Sequence, residues 1–429
     1  MAIALSEYAP GRFVTIDKKL FKSGGLYANP RPHGYSTNQA EFYFNNPDYY
    51  KDIYICSKCN WFGMDQKYCP DMRCPYCKED VIKKKVLRPW GFSPVKGDEV
   101  RYKDDKEQYT YTEPPYYNYV PEAILKDRYK KSNIRFVNLP DRHVLTVNMG
   151  NDKNGFNICK KCGGAVVAGT SPEGNISQPF HDNHPLCNHE GTVVPNVYLG
   201  YEFLTDMFML DISYDSNKLV SNGSVEDARI LRAAATTLHE ALKKAVSLVL
   251  DIDYNEIRGG ARPLFKEDGN SHIEMFFYDN LTSGAGYSSL IGSILDKVLD
   301  KARMILSECE CARSCKNCLD NYWNQRNHPF LDRHLGLQLL NYAEFDQLPD
   351  KYDTGKQEKL LSPLKKLIME DEDKERQVHS PVSFEVIPAL LKKPANKDLK
   401  MYLNPYDLSE WLPNSFIAYK NLISEVKDV

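Results

Sequence analysis

Twelve cysteines stand in this 429-residue chain, and eleven of them fall into three tight groups. The first group is Cys56-x-x-Cys59 with Cys74-x-x-Cys77. Zinc asks for four soft ligands at the corners of a tetrahedron, and two CxxC turns supply two thiolates each. Asn60 after the first pair and Pro75 inside the second suit tight turns. The second group is Cys159-x-x-Cys162-Gly163-Gly164, followed by His181, His184, Cys187 and His189. Cys187 with His184 is the favoured completion, because both lie in one short turn around Pro185; His181 is the next candidate. The third group, Cys309-x-Cys311-x-x-x-Cys315-x-x-Cys318, has four thiols in ten positions, enough to wrap one ion. An iron–sulfur cluster uses the same ligand type and stands as the alternative there. Cys69 is left over and reads as a free thiol, with replacement of another ligand in the first group as the alternative. Each group can fill its coordination sphere with protein ligands and leave no place for water, so the reading is three structural Zn2+ ions and no hydrolytic zinc.

Other side chains carry weaker signals. Lys83, Lys84, Lys85 and Arg88, and the stretch Lys126 to Arg135 with Lys130 and Lys131, are candidates for tracking a phosphate backbone; Tyr116 and Tyr117 are candidates for stacking on unpaired bases. A solvated charged face is the competing reading. The loop Ser283-Gly284-Ala285-Gly286 before a helix either holds a phosphate on its amides or is a tight strand-to-helix turn; the turn is preferred. Asp206, Asp251, Asp253, Glu256, Glu274 and Asp279 raise the thought of a nuclease, but no Asp precedes a Glu-x-Lys strand, and solvated acids and caps explain them better.

The elements that must position these groups are legible from periodicity. Short strands and turns fill residues 1–50, and 51–95 is a zinc ribbon. A β-rich region with the second metal site spans 96–195. Val197–Leu204 and Met207–Ile212 read as strands separated by Thr205-Asp206. Ile230, Ala234, Leu238, Ala241, Ala245 and Leu248 recur at helical spacing within 226–250. His272–Tyr278 alternates as a strand, and a long helix to about 307 has Leu290, Ile291, Ile294, Leu295, Val298, Ala302 and Ile305 on its apolar face. Leu335–Leu340 is helical. Residues 196–345 thus form a mixed sheet and helix domain, and 346–429 a charged linker and extension in which Leu360, Leu361, Leu364 and Leu367 mark one amphipathic helix. The fold class is α+β: a zinc-ribbon-containing, β-rich N-terminal region followed by a mixed zinc-binding domain. Net charge is −3, so no global positive field draws the chain to nucleic acid. No apolar run reaches the ~20 residues of a membrane helix and no secretory leader is evident, so a cytoplasmic protein with reduced cysteines is expected.

The run Tyr278-Asp279-Asn280-Leu281-Thr282-Ser283-Gly284-Ala285-Gly286-Tyr287, the helix after it, the Cys309–Leu319 knuckle, Asn324-Gln325 and Leu331-Asp332-Arg333 together resemble the MrfA-associated zinc-binding domain. Ser6-Glu7-Tyr8-Ala9-Pro10-Gly11 and Pro89–Phe92 are similar to the region that joins that domain to a helicase core. The resemblance is close over 272–335 and loose over 1–340. It implies one of two settings: the C-terminal part of a superfamily-two DNA-repair helicase of the MrfA type, or a subunit that partners a helicase in DISARM-type anti-phage systems. No GxxxxGK[ST] loop and no acidic helicase box occur, so ATP binding has no support in this sequence. The chain is read as a separate subunit or as the C-terminal piece of a longer helicase.

The expected function is a non-catalytic, zinc-stabilised accessory of a superfamily-two helicase that binds single-stranded or unwound DNA, in defence or repair. A protein–protein scaffold that binds no nucleic acid, and less favourably a metal-dependent nuclease, are the alternatives.

Overall fold

The structure, a computed structural model, describes residues 4–28, 40–56, 61–75, 77–95, 107–112, 116–117, 127–169, 176–179, 187–221, 224–265, 271–280, 285–372, 383–394, 400–406 and 408. It is an α+β protein of two compact units. The first comprises Met1–Ile124, Leu139–Met207 and Tyr278–Ser289; the second comprises Leu125–Asn138, Phe208–Phe277 and Leu290–Val429.

In the first unit, α1 (Ala4–Glu7) leads into the hairpin β1 (Phe13–Ile16) and β2 (Lys19–Leu26). Its two turn residues, Asp17 and Lys18, both have positive φ, the backbone that a two-residue type I′ turn needs. After α2 (Glu41–Phe44), β3 (Tyr50–Cys56) carries the first cysteine and pairs with the short β4 (Phe62–Gly63). β3 also pairs antiparallel with β5 (Val81–Leu87), from Tyr50 opposite Leu87 to Cys56 opposite Val81. β6 (Phe92–Pro94) adds to β2, and β7 (Tyr116–Tyr117) pairs with Val144 and Leu145 of β9 (Ile134–Asn148); β8 (Asp127–Arg128) pairs with Arg135 and Phe136 of β9, within the second unit. β10 (Phe156–Cys159) bears the second cysteine group and lies between β11 (Ala165–Val167) and β12 (Val193–Tyr214). One apolar cluster joins Leu5, Leu26, Tyr43, Leu87, Phe156 and Leu199.

β12 differs from expectation. It is one strand of 22 residues, without a break at Thr205-Asp206. The polar pair sits inside it because neighbours satisfy it: Thr205 Oγ1 donates to the Asp279 carbonyl at 3.1 Å, and Asp206 accepts the Asp141 N–H at 3.3 Å.

The second unit is built on α3 (Val225–Leu250). Ser224 caps it by accepting the Asp227 N–H, acidic residues open it, and Asp251 ends it in the left-handed conformation. The expected stripe is buried from Ile230 to Ala245, but Leu248 is exposed and the burial wraps much further, taking in His239, Glu240 and Lys243. β13 (Ile257–Phe265) pairs with β14 (Ser271–Asp279). β14 is buried on both faces, although its sequence alternates, because its polar face is paired: His272 Nδ1 lies 2.9 Å from Asp211, and Arg262 donates to Glu274 at 3.3 Å.

The expected long helix to 307 is interrupted. α4 (Tyr287–Leu290) and a 3-10 turn over Ile291–Ile294 precede α5 (Leu295–Ser307). Ile291, Leu295, Val298, Leu299, Ala302 and Leu306 form the buried face, leaving Leu290 exposed and Ile305 half-buried. α6 (Arg333–Phe345) packs with α5 on α3, its first amides accepted by Asp332. α7 (Thr354–Glu372) does not stand alone in a linker. Its Leu361 and Leu364 join Val386, Leu403 and Leu408 in a small core, completed by β15 (Ser383–Val386) and β16 (Lys400–Leu403). Among the described residues, no helix is long and apolar enough to cross a membrane.

Candidate metal centres and nucleic-acid surfaces

The third cysteine group sits where α5 ends. Cys309, Cys311, Cys315 and Cys318 bring their sulfurs within 4.8 Å of one another. Cys309–Cys315 and Cys311–Cys318 are 3.6 Å apart, and Cys315–Cys318 3.8 Å. Zn–S bonds of ~2.3 Å span a tetrahedron with edges of about 3.8 Å, so these separations fit one zinc ion. A four-iron cluster does not fit between sulfurs this close, which removes the iron–sulfur alternative of that size. Backbone amides of Asn317 and Cys318 pull the Cys315 thiol down to about 7, while burial and the neighbouring thiols push Cys311 up to about 12. Four thiols at this spacing repel one another as thiolates; a divalent cation removes the conflict.

The loop is held from outside. Arg333 Nε donates to the Cys311 carbonyl at 2.7 Å and its Nη1 to the Leu306 carbonyl at 3.3 Å. Lys244, from α3, donates to the carbonyls of Cys318 and, at 3.3 Å, Asn317. One turn earlier on α3 is Glu240, buried to 4% exposure. Its carboxylate accepts Asn324 at 3.1 Å, Asn327 at 2.9 Å and the Tyr254 hydroxyl, with Lys243 3.5 Å away. Burial pushes this carboxyl up, but Lys243, His239 and Tyr254 outweigh that and hold it well below the ordinary carboxylate range. Asn324 also donates to the Leu319 carbonyl at 2.9 Å. The segment after the last cysteine is therefore clamped to α3 by side chains whose role the sequence reading did not assign.

At the second group, Cys159 stands at the end of β10 and Cys162 lies in the turn that follows, which Gly163 closes at φ +78°. That turn docks on β2 through the bond from the Leu26 N–H to the Gly163 carbonyl, 2.9 Å. Cys159 Sγ is 3.8 Å from Cys187 Sγ, and Cys162 Sγ is 3.6 Å from His189 Nδ1. These four atoms lie within 4.8 Å of one another. The expected histidine, His184, lies outside the described residues, as does His181; the ring the fold brings to the three cysteines is that of His189. Thr192 Oγ1 sits 3.2 Å from Cys159 Sγ and donates to the His189 carbonyl at 2.9 Å, tying the two ends of the site. No spacing rule in the sequence picks His189 over its neighbours.

At the first group Cys56, Cys74 and Cys77 converge, with Cys56 and Cys77 3.4 Å apart; Cys59 lies outside the described residues. Cys74 begins a knuckle in which the Lys78 N–H bonds the Cys74 carbonyl at 3.0 Å, before the chain returns as β5. Cys69 is buried and not part of this set, and burial with the nearby Cys74 raises its thiol pKa.

The basic candidates are spread over both units. Lys83 and Lys85 project beside Tyr54 and Tyr50 and share Asp52, at 3.0 and 2.7 Å. Lys84 lies over the Tyr198 ring and Arg88 over Tyr201. Lys130 pairs with Asp296, and Lys131 is exposed. Tyr116 is not a free stacking face. It is 6% exposed, packed against Phe62 with Leu145 and Val147, because β7 pairs with β9 and turns that ring inward. Tyr117 pairs through its backbone with Val144. The acids are engaged elsewhere. Asp279 accepts the amides of Ala285, Gly286 and Ser288 at 2.6, 2.5 and 2.7 Å, so the loop before α4 binds its own carboxylate in place of a phosphate. Asp251 is a helix C-cap, and Asp253 accepts the Asn255 N–H. Among the described residues, every group of three or more ligating atoms is built from cysteine and histidine alone.

Residues 238–319, from the middle of α3 through the four-cysteine knuckle, match the family model for the MrfA Zn-binding domain. Over those residues the chain is similar to a MrfA Zn-binding domain. It is also 32% identical, over 365 residues, to the Druantia protein DruE of Escherichia coli strain UMEA 4076-1; the match takes in 81% of this chain and 19% of that protein. The chain thus spans about a fifth of the length of this curated relative. The crystal structure of the helicase MrfA bound to DNA aligns over 58% of this chain and 28% of its own, at 15% identity and a TM-score of 0.33; its complex with DNA and AMPPNP gives 12% and 0.27. Overlays this loose fix no element of the fold.

If each group holds one ion, protein purified without chelator should contain three zinc equivalents per chain, released in steps by a strong chelator. One equivalent or none, measured by elemental analysis, contradicts that count.

Proposed function

We propose that this chain is the zinc-stabilised, DNA-binding accessory portion of a superfamily-two helicase system, without a motor of its own, working in the cytoplasm in anti-phage defence or DNA repair. The observation that carries the reading is the Cys309–Cys318 knuckle, clamped to α3 by Lys244 and Arg333, inside the stretch that matches the MrfA Zn-binding domain. In it, three structural zinc ions are held by Cys56, Cys59, Cys74 and Cys77; by Cys159, Cys162, Cys187 and His189; and by Cys309, Cys311, Cys315 and Cys318. A bound zinc supplies cross-linking of chain segments, and its ligand sets are closed by protein atoms. The helicase motor is supplied by a partner subunit or a longer chain.

The DNA-facing candidate in the first unit is Lys83 and Lys85 of β5 beside Tyr50 of β3, with Lys84 and Arg88; in the second unit it is Lys130 and Lys131. Asp52 offsets part of the charge on Lys83 and Lys85. That favours modest, salt-sensitive contact over tight binding, and it is also the feature that favours the competing scaffold reading.

Anisotropy titrations of a labelled single strand at several salt concentrations test the reading. With four or five phosphate contacts, the log–log slope should be about −3 to −4, at ~0.7 per contact. Replacing Lys83, Lys84 and Lys85 together by alanine should flatten it by about 2. An unchanged slope would make that patch a solvated face. No binding by the wild-type chain, with or without a helicase partner, would hand the case to the scaffold.

A further inference from the structure

We propose that Tyr322–Phe330, the strip following the four-cysteine knuckle, is a stacking platform for unpaired nucleobases, with Tyr322 and Trp323 as the stacking rings. The inference rests on the reading that this chain meets single-stranded DNA, and it moves the aromatic contact from Tyr116 to a different unit.

Tyr322 is 74% and Trp323 49% exposed, and Phe330 is also among the exposed large apolar side chains. Exposed aromatic groups this large, side by side, are unusual on a surface that meets only water. Their rings lie 5.2 Å apart at 85°, so the two planes form a corner that a flat ring can enter, face to one wall and edge to the other. An aliphatic side chain makes no use of that right angle.

The backbone beneath the rings is fixed. Asn321 caps the strip by accepting the Trp323 N–H at 3.0 Å, and its own N–H is returned to Asn324 at 2.8 Å. Asn324 and Asn327 reach down to the buried Glu240, and His328 Nε2 sits 2.8 Å from Asn324 Oδ1. A rigid base means that little conformational entropy is lost when a ligand settles on the rings.

The chemistry of the strip selects the ligand. From Asn321 to Phe330 it contains three aromatic residues, one arginine, amides and a histidine, and no carboxylate, in a chain whose net charge is −3. Gln325 and Arg326 are exposed next to the rings, and the Arg232 guanidinium lies 5.7 Å over Phe330. Aromatic faces interleaved with guanidinium and amide groups suit bases joined by phosphates, because every base presents a π-face and every linkage a negative charge.

The test compares the full 429-residue chain with its Tyr322→Ala/Trp323→Ala variant on two labelled strands of equal length, oligo-dT and an abasic strand with the same phosphates. Wild type should prefer oligo-dT. The double variant should lose about 5- to 150-fold on oligo-dT, keep its affinity for the abasic strand and keep its salt slope, since stacking releases no counterions. Trp323→Phe, which retains a ring, should hold most of the wild-type affinity. Unchanged zinc content and circular dichroism check that the variants fold. The proposal is overturned if the double variant binds oligo-dT like wild type, or loses both strands equally. It is also overturned if DNA binding is intact and only association with a helicase partner is lost, which would make the strip a protein interface. If wild type binds neither strand, the parent reading fails and this one with it; if wild type binds and the double variant matches it, the parent reading stands alone.

Discussion

Cys315→Ser should remove one zinc equivalent from the chain and unfold the helical part of the second unit. A structural zinc site contributes on the order of ten kcal/mol of folding free energy, comparable to the whole net stability of a typical domain. Cys315 is the residue whose loss acts most widely in this loop: its carbonyl accepts the amides of Cys318, Leu319 and Asp320, and its sulfur lies within reach of two other ligands. The knuckle in turn holds the end of α5, the start of α6 through Arg333, and α3 through Lys244. Hydrogen exchange should show lost protection in α3, α5 and α6. A variant with three zinc ions and wild-type protection would show that Cys309–Cys318 is not a metal site.

The second large effect is expected at Glu240, and it needs no metal. Glu240→Ala leaves Lys243 and the amides of Asn324 and Asn327 facing one another in a buried space without their acceptor. Breaking a buried ion pair by removing one partner costs roughly 3–5 kcal/mol. The loss should appear as faster exchange over 319–330 and in the middle of α3. Adding Lys243→Met should recover much of it, since the unpaired charge goes too, and a double-mutant cycle measures the coupling. If the single variant is as stable as wild type, the network is not what clamps the strip to α3. Because Tyr322 and Trp323 ride on that strip, the variant should also weaken oligo-dT binding if the stacking proposal holds.

Local chemistry was readable wherever ligands lie close in sequence. Cys309 to Cys318 close on one another within a single loop, so spacing alone placed all four. The helix at 226–250 was equally plain, because capping and 3.6-residue periodicity are local properties. His189 was harder: the turn at Pro185 made His184 the nearer choice, and which ring meets Cys162 depends on how β10 and β12 pair. Tyr116 failed for a similar reason. A tyrosine beside a basic stretch looks the same in sequence whether its ring faces water or Phe62.

The α+β class, three cysteine-rich groups suited to single ions, and the likeness to a MrfA Zn-binding domain are all legible from residues close in sequence. Folding was needed to bring the Ala285, Gly286 and Ser288 amides to Asp279, two lysines to Asp52, and the strip after the knuckle to Glu240. These pairings join residues from 6 to 87 positions apart. Whether such groups meet depends on strand register and helix packing, which fix which buried charge finds a partner and which ring is left facing solvent.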